Sequence, residues 1–363
     1  MKVLDTAWGG EGSSAVAPGD LNGDGILDLA LGSTYSGMDR PGAPEVISGP
    51  RTVLGKGDGT FVAKASYPVT VQIDSADAPN GRYGGDLAVA DFNQDGVLDL
   101  VTISSVVDSV SVRLGVGDGS FLAGVDYGMG EDPARVLVAD INVDGKPDLA
   151  TSTMANSVVN VRFGVGDGTF GERVALPAVS SGQFQPVNSI QFIDWNQDGL
   201  PDLLVTDDRV HILLGIGSGA FAKPLDCAIP TSDLGGDYAS AGSVAADFDQ
   251  DGIVDLAVGN GALFGMNGCS FDRAFDHEFW WPLLAGDFDG DGRPDLVATT
   301  TQAITLVTTR GAADFADPIE LFDVDCYPAY FSAVSGDLNG DGRLDLVVSS
   351  SCGSLRVLLN TCQ

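Results

Sequence analysis

One ten-residue phrase recurs seven times along this chain and limits its fold more than any other feature. It first reads "DLNGDGILDL" from Asp20 and returns as "DFNQDGVLDL" from Asp91, "DINVDGKPDL" from Asp140 and "DWNQDGLPDL" from Asp194. The last three copies are "DFDQDGIVDL" from Asp247, "DFDGDGRPDL" from Asp287 and "DLNGDGRLDL" from Asp337. The pattern is D-x-[ND]-x-D-G-x-x-D-L, and successive copies lie 71, 49, 54, 53, 40 and 50 residues apart. A fixed period of this size marks an array of equivalent structural units. One copy would be a weak signal, whereas seven copies with no key position lost are a strong one.

A second phrase follows each of the first three copies: "LGKGDGTF" ending at Phe61, "LGVGDGSF" at Phe121 and "FGVGDGTF" at Phe170. It decays to "LGIGSGAF" at Phe221, "FGMNGCSF" at Phe271 and "TTRGAADF" at Phe315. Between the phrases lie short runs with strand character, such as "AVAD" entering the acidic loop, "DLAVG" leaving it and "SVSVRLG" approaching the glycine turn. A fourth short run, such as "FLAGVDYG", starts at the phenylalanine. No segment keeps a 3.6-residue period. Four short strands per unit, seven units and no helices predict an all-β fold, a seven-bladed β-propeller with four-stranded blades. The seventh unit lacks its fourth strand, and residues 2–8 of "MKVLDTAW" are expected to supply it as the outer strand of the last blade. Such closure would remove an exposed sheet edge. Residues 1–363 are expected to form a single propeller domain.

The acids in the phrase have the spacing of a cation loop. Oxygens at positions 1, 3, 5 and 9, with a carbonyl at 7, suit a hard ion, and the glycine at position 6 allows the chain to wrap around it. The expected ligands in the first loop are Asp20, Asn22, Asp24, the Ile26 carbonyl and Asp28. In the next three loops they are Asp91, Asn93, Asp95, Val97 and Asp99; Asp140, Asn142, Asp144, Lys146 and Asp148; and Asp194, Asn196, Asp198, Leu200 and Asp202. In the last three they are Asp247, Asp249, Asp251, Ile253 and Asp255; Asp287, Asp289, Asp291, Arg293 and Asp295; and Asp337, Asn339, Asp341, Arg343 and Asp345. An EF-hand would need a glutamate at position 12, where the first three loops have Leu31, Thr102 and Thr151, and a strand follows instead of a helix. Up to seven Ca²⁺ ions are expected, and metal-free Asx-rich turns are the simpler alternative.

The charge agrees with metal loading. The chain has 51 acidic and 18 basic residues, a formal charge of −33. Five loops with three aspartates and two with four hold 23 of those acids, and seven Ca²⁺ would bring the charge to −19. At about millimolar calcium and affinities near 10⁻⁴ M, each site would contribute roughly 1–2 kcal/mol. Sites this weak fill outside cells, so a secreted or cell-surface location is expected. The acidity argues against nucleic acid and anionic membrane surfaces as partners. No apolar run is long enough to span a membrane, and the start of the chain has no apolar signal-peptide core. A monomer is expected.

With these motifs the chain resembles the FG-GAP/VCBS repeat family, the calcium-loop propellers of integrin α-subunit heads and many secreted proteins. The matching stretches are the seven acidic loops and the "GxGDGTF" turns, across nearly all of residues 16–360. The resemblance implies a seven-bladed propeller with calcium in the loop between the first two strands of each blade. It also implies an extracellular adhesion or ligand-binding role, with some members binding carbohydrate.

In a four-stranded meander the acidic loop and the glycine turn fall on one face. The opposite face carries the loops that vary, notably Gly32–Pro50 and Thr70–Asp86 of the first blade. Variable loops on a rigid scaffold are where recognition usually sits. Aromatics recur there six to ten residues ahead of the acidic loops: Tyr83, Phe184, Tyr238, Trp280, Trp281, Tyr330 and Phe331. They would surround the mouth of a central channel and stack on sugars or anchor a protein, or else wedge between blades as core. Trp195, Phe92, Phe248 and Phe288, inside the acidic loops, read as core. Arg40, Arg82, Arg135 and His277 lie in the variable loops and could bind acidic groups. The leading reading is a non-catalytic binding module for a glycan or a surface protein. The alternatives are a polysaccharide lyase or hydrolase and a spacer without a ligand. The chain shows no nucleophile elbow, HExxH or phosphate loop. His211, in "RVHILLG", reads as packed, and His277 beside Glu278 is the one acid/base pair in a loop. Of the five cysteines, Cys326 and Cys352 fall on one face and are a candidate disulfide.

Overall fold

The computed structural model describes residues 2–6, 15–32, 45–47, 49–67, 69–71, 86–104, 108–153, 158–177, 189–206, 209–227, 242–259, 261–266, 268–276, 281–300, 302–311, 314–323, 331–350 and 355–361. These form seven four-stranded antiparallel sheets and two small two-stranded ones, with no helix. The seven large sheets are the blades of a β-propeller. The first strands are Val16–Gly19, Leu87–Ala90, Pro133–Ala139, Ser189–Ile193, Ser243–Ala246, Trp281–Gly286 and Phe331–Gly336. Each touches the first strand of the blades on either side, so together they form an unbroken central ring.

The ring closes as expected. Lys2–Thr6 pairs antiparallel with Leu355–Leu359, from Lys2 opposite Leu359 to Thr6 opposite Leu355, and is the fourth strand of blade 7. The expected strand ran to residue 8, and residues 7 and 8 lie outside the described residues. The fourth strand starts at the phenylalanine in blade 1, as the repeat suggests, but later in several other blades. In blades 2, 3 and 4, Phe121, Phe170 and Phe221 form only a single bridge to Gly115, Gly164 and Gly215, and the strand proper begins four residues on.

The core runs between blades more than within them. Second strands are buried along their whole length, as in Asp28–Leu31, Asp148–Thr153 and Asp295–Thr299. The apolar residue at position 2 of each acidic loop reaches toward the next blade. Phe92 packs edge-on to Phe170, Trp195 to Phe271, and Phe248 lies against Phe315. Phe92, Phe248 and Phe288 are buried, as the sequence suggested, at roughly 1.5–3 kcal/mol each. Trp195 is half-buried and donates its indole N–H to the Gly268 carbonyl at 3.1 Å. The blade 7–blade 1 seam is sealed in the same way, with Val16, Leu29 and Phe61 against Leu338, Val347 and Leu359. Further out, arginines on third strands lie over aromatics of the preceding blade: Arg113 over Tyr67, Arg162 over Tyr127 and Arg356 over Phe322.

A disulfide joins Cys227, in the fourth strand of blade 4, to Cys269, in the hairpin turn of blade 5. The Cys326–Cys352 candidate lies outside the described residues. Crosslinks that close a loop of this size typically stabilise by about 2–4 kcal/mol. Cys227→Ser is therefore expected to lower the unfolding free energy read from urea denaturation by an amount of that size. Dithiothreitol should destabilise the wild type to the same level and leave the variant unchanged.

Candidate functional site

Each acidic loop is shaped by its own carboxylates. In the seventh, Asp337 Oδ1 accepts the amides of Gly340 (2.7 Å) and Asp341 (3.0 Å), and Oδ2 accepts that of Gly342 (2.8 Å). Asn339 Oδ1 accepts the Asp341 amide, and Asp341 Oδ1 that of Arg343. Positions 4 and 6 are both left-handed, with Gly340 at φ 75° and Gly342 at φ 81°. Position 6 is glycine in all seven loops, which spares a side-chain clash in that backbone region.

The aspartate at position 9 has a second task that the phrase alone did not reveal. Asp28, Asp99, Asp148, Asp202, Asp255, Asp295 and Asp345 all have 0% exposure. In every one, Oδ2 accepts the amide of position 2 in its own loop: Leu21, Phe92, Ile141, Trp195, Phe248, Phe288 or Leu338. Oδ1 accepts an amide at the end of the third strand: Gly55, Gly115, Gly164, Gly215, Gly265, Thr309 or Asn360. One buried carboxylate thus ties the acidic loop, the second strand and the third strand together. The signal for it was the glycine of the "LG" or "FG" that precedes the turn in blades 1–5. A Cβ at Gly55, Gly115, Gly164, Gly215 or Gly265 would collide with the carbonyl oxygen of the residue before the position-9 aspartate.

The turns and loops then interlock around the face. The amides of Gly119 and Gly168 donate to the position-2 carbonyls of the preceding blade, Leu21 and Phe92, at 3.0 Å each. Gly59 does the same to Leu338 at 3.3 Å. In blade 7 the Asn360 side chain takes this role, donating to the Phe288 carbonyl at 2.6 Å. Glutamines at position 4 form a second tie, missed at the level of sequence. Gln94 donates to the Gly145 carbonyl at 3.0 Å, Gln250 to that of Gly292 at 2.7 Å, and Gln197 to that of Gly252.

Burying these carboxyls raises the pKa of every position-9 aspartate, against the pull of the two backbone amides. Asp255 and Asp295 are pushed up to about 6, with neighbouring Asp249 and Asp289 adding repulsion. In their loops three carboxylate oxygens, from Asp247, Asp249 and Asp255 and from Asp287, Asp289 and Asp295, lie within 4.8 Å of one another. A hard-oxygen set this crowded and desolvated fits a divalent cation, and these clusters could hold one. Among the described residues these two clusters, in blades 5 and 6, are the ones in which three acids gather this closely.

On the opposite face, Asp86 immediately precedes the first strand of blade 2. Its Oδ2 accepts the Val136 amide of blade 3 at 3.0 Å. Burial pushes its carboxyl up, with the adjacent Arg135 charge opposing. Between blades 4 and 5, the Gln191 side chain bonds to Ser243 and Ala245. Trp281 and Phe331 are both half-buried. Arg40, Arg82, Tyr83, Phe184, Tyr238, His277, Trp280 and Tyr330 lie outside the described residues. His211 is packed, 1% exposed, with Nδ1 2.8 Å from Asp226 Oδ1 across the strand pair.

Seven four-stranded blades, each with an Asp-rich loop clasped between its first two strands, define a repeat propeller built around acidic loops. The FG-GAP-like repeat profile matches residues 91–151, 194–258 and 287–348, and the FG-GAP repeat profile residues 13–46. The chain belongs to the FG-GAP-like repeat family. No curated protein sequence matches it. Among solved structures it is similar to an Agrocybe aegerita lectin that recognises non-reducing terminal N-acetylglucosamine. That match has 16% identity and TM-score 0.59, over 92% of this chain and 85% of the lectin. It is also similar to Saccharomyces cerevisiae Sqt1, at 12% identity and TM-score 0.57, over 100% of this chain and 99% of that one. A third is the rhamnogalacturonan lyase YesW, at 14% identity and TM-score 0.52, over 100% of this chain and 75% of the lyase. At these identities the likeness concerns the fold. Among the described residues, no helix is long and apolar enough to cross a membrane.

Two tests separate the clasp from the cation. Asp99→Asn turns one acceptor into a donor against a buried amide and should cost about 1–3 kcal/mol even in chelator. Asp95→Ala, at position 5, should lose stability mainly where cation is present. Chemical denaturation of both variants, with and without chelator, checks this. The second test is pH. An acid whose folded pKa lies above its unfolded value makes the folded state hold more protons between the two. For Asp255 and Asp295, metal-free stability should therefore fall as pH rises from about 4 to about 6. A cation must displace those protons. Calorimetry in two buffers of different ionisation heat should show up to about two protons released near pH 5 and none near pH 7.5. Asp255→Asn should lower that number.

Proposed function

We propose that the protein is a calcium-stabilised extracellular binding or adhesion module, a single propeller domain acting as a monomer. It recognises a glycan or a surface protein through the face opposite its acidic loops. Calcium fits the seven loops as scaffold, held by the position 1, 3, 5 and 9 side chains and the position-7 carbonyl. The observation that carries the reading is the division of labour between the two faces. The loop face repeats one clasp seven times with almost no change in length, while the opposite face carries nearly all the variation in length and chemistry.

That variable face offers a desolvated carboxylate, Asp86, beside Arg135, and the half-buried Trp281 and Phe331 at the starts of the first strands of blades 6 and 7. Carboxylates and guanidinium groups hydrogen-bond hydroxyls, and aromatic faces stack on sugar rings. On the sequence pattern, Arg82, Tyr83, Phe184, Tyr238, His277, Trp280 and Tyr330 are proposed to take part in the same recognition. The lectin among the fold neighbours is in keeping with glycan recognition on this architecture. A polysaccharide-cleaving enzyme is the second reading, favoured by the raised Asp86 carboxyl, which could serve as an acid.

A glycan array probed in millimolar calcium should give specific hits that Trp281→Ala or Asp86→Ala weakens by at least about tenfold, a loss of roughly 1.4 kcal/mol. Chelator should abolish the hits together with the fold. Hits without any release of reducing ends on incubation would favour binding over cleavage. No hits from folded, calcium-loaded protein would sink the glycan half of the proposal.

A further inference from the structure

The loop face carries a second pattern that neither the clasp nor a bound cation uses. The residue directly after each clasped third-strand amide points out of the turn. Around the ring it reads Lys56, Val116, Val165, Ile216, Met266, Arg310 and Thr361. The four apolar members are 53%, 52%, 64% and 50% exposed. Single exposed hydrophobics are ordinary on any surface. Here they hold the same structural position in four successive blades, bounded at both ends by a cation.

Val143 strengthens the pattern. It occupies position 4 of the third acidic loop, where the other six loops have Gly or Gln. It sits at φ 59° and is 55% exposed. A β-branched side chain in the left-handed region is a strained choice, and such strain persists where something else favours it. Glutamine at that position in blades 2, 4 and 5 latches to the next loop, and valine gives up the latch. The loop lies between two turns of the arc. Lys146 of this loop would meet a Cβ at Gly166, beside Val165, and Asn142 would meet one at Gly219, in the turn that carries Ile216. Val143 therefore falls in the gap between Val165 and Ile216. Exposed carboxylates border the arc, among them Asp118 and Asp167.

We propose that this arc across blades 2–5 is a docking surface for a protein segment in which cationic and apolar side chains alternate. The apolar side chains would cover the arc, and Lys or Arg would meet the acidic border. Charge decides between occupants. A second copy would bring the same acidic face and a formal charge of −33, and an anionic lipid surface would be repelled likewise. This surface lies on the opposite side from the proposed recognition face, so each can fail without the other.

The test uses the full chain in millimolar calcium at physiological salt. The probes are a labelled peptide of repeating Leu-Lys units and a matched Ser-Lys peptide, followed by fluorescence anisotropy. The Leu-Lys peptide should bind at least about tenfold more tightly. The combined variant V116S/V165S/I216S/M266S should erase that difference while keeping its melting temperature and any glycan binding. Val143→Gly should weaken the Leu-Lys peptide without loss of stability. Equal affinity for the two peptides would reduce the surface to unspecific charge attraction and overturn the proposal. So would binding to neither peptide, or a folded combined variant that keeps the difference. Sedimentation showing a dimer that only the combined variant loses would reassign the arc to a second copy.

Discussion

Everything in this propeller hangs on a buried carboxylate that accepts two backbone amides from different strands. Position-9 aspartates sit at zero exposure in all seven blades, each binding its own loop to the end of the third strand. Burying that charge is costly, and two amides offset only part of the cost, which is why these carboxyls move upward. Crowding further acids around them adds repulsion that a cation would relieve. The same atoms that set the blade geometry are thus members of the clusters that could hold a metal in blades 5 and 6. Scaffold and cation loop cannot be altered separately at that position, whereas positions 3 and 5 brace only the loop itself, through its own amides.

Joining blade to blade is done by a different and less uniform set of contacts. Position-2 aromatics, turn-glycine amides and third-strand arginines recur, but not in every blade. The glutamine latches start from blades 2, 4 and 5, and among the described residues one disulfide joins blades 4 and 5. Repeat architectures draw their stability from units and from the interfaces between neighbours, so uneven interfaces mean seams of unequal strength. The seam between blades 3 and 4, where Val143 takes the place of a latching glutamine, is also the middle of the exposed apolar arc.

The number of blades and the face of the acidic loops were legible because both follow from a spaced, side-chain-specific phrase. The clasp partner was half legible. Five blades announce it with a glycine that steric crowding demands, but Thr309 and Asn360 also serve, because only their backbone amides are needed. That is why the "GDGTF" phrase could decay after blade 3 while the architecture did not. The Cys227–Cys269 bond could not be read in advance. The two residues are 42 apart in sequence and meet only because blades 4 and 5 are neighbours. The glutamine latches were hidden for a similar reason, since each acts on a carbonyl of another blade. Of the recognition-face aromatics, only Trp281 and Phe331 fall within the described residues.

The pairing of Lys2–Thr6 with Leu355–Leu359 also has a temporal side. A ribosome makes the first of these strands long before the second exists. The opening strand must wait, unpaired, through the synthesis of six whole blades. Bringing such distant segments together adds little to the equilibrium cost, because closure entropy grows only with the logarithm of loop length. It weighs far more on the rate, since pairings this remote form late. From the completion of Leu355–Leu359 until the pairing forms, blade 7 is a sheet with a missing edge, open to a strand from another nascent chain. The last step of folding is thus also the step at which a neighbour's strand could be captured in error.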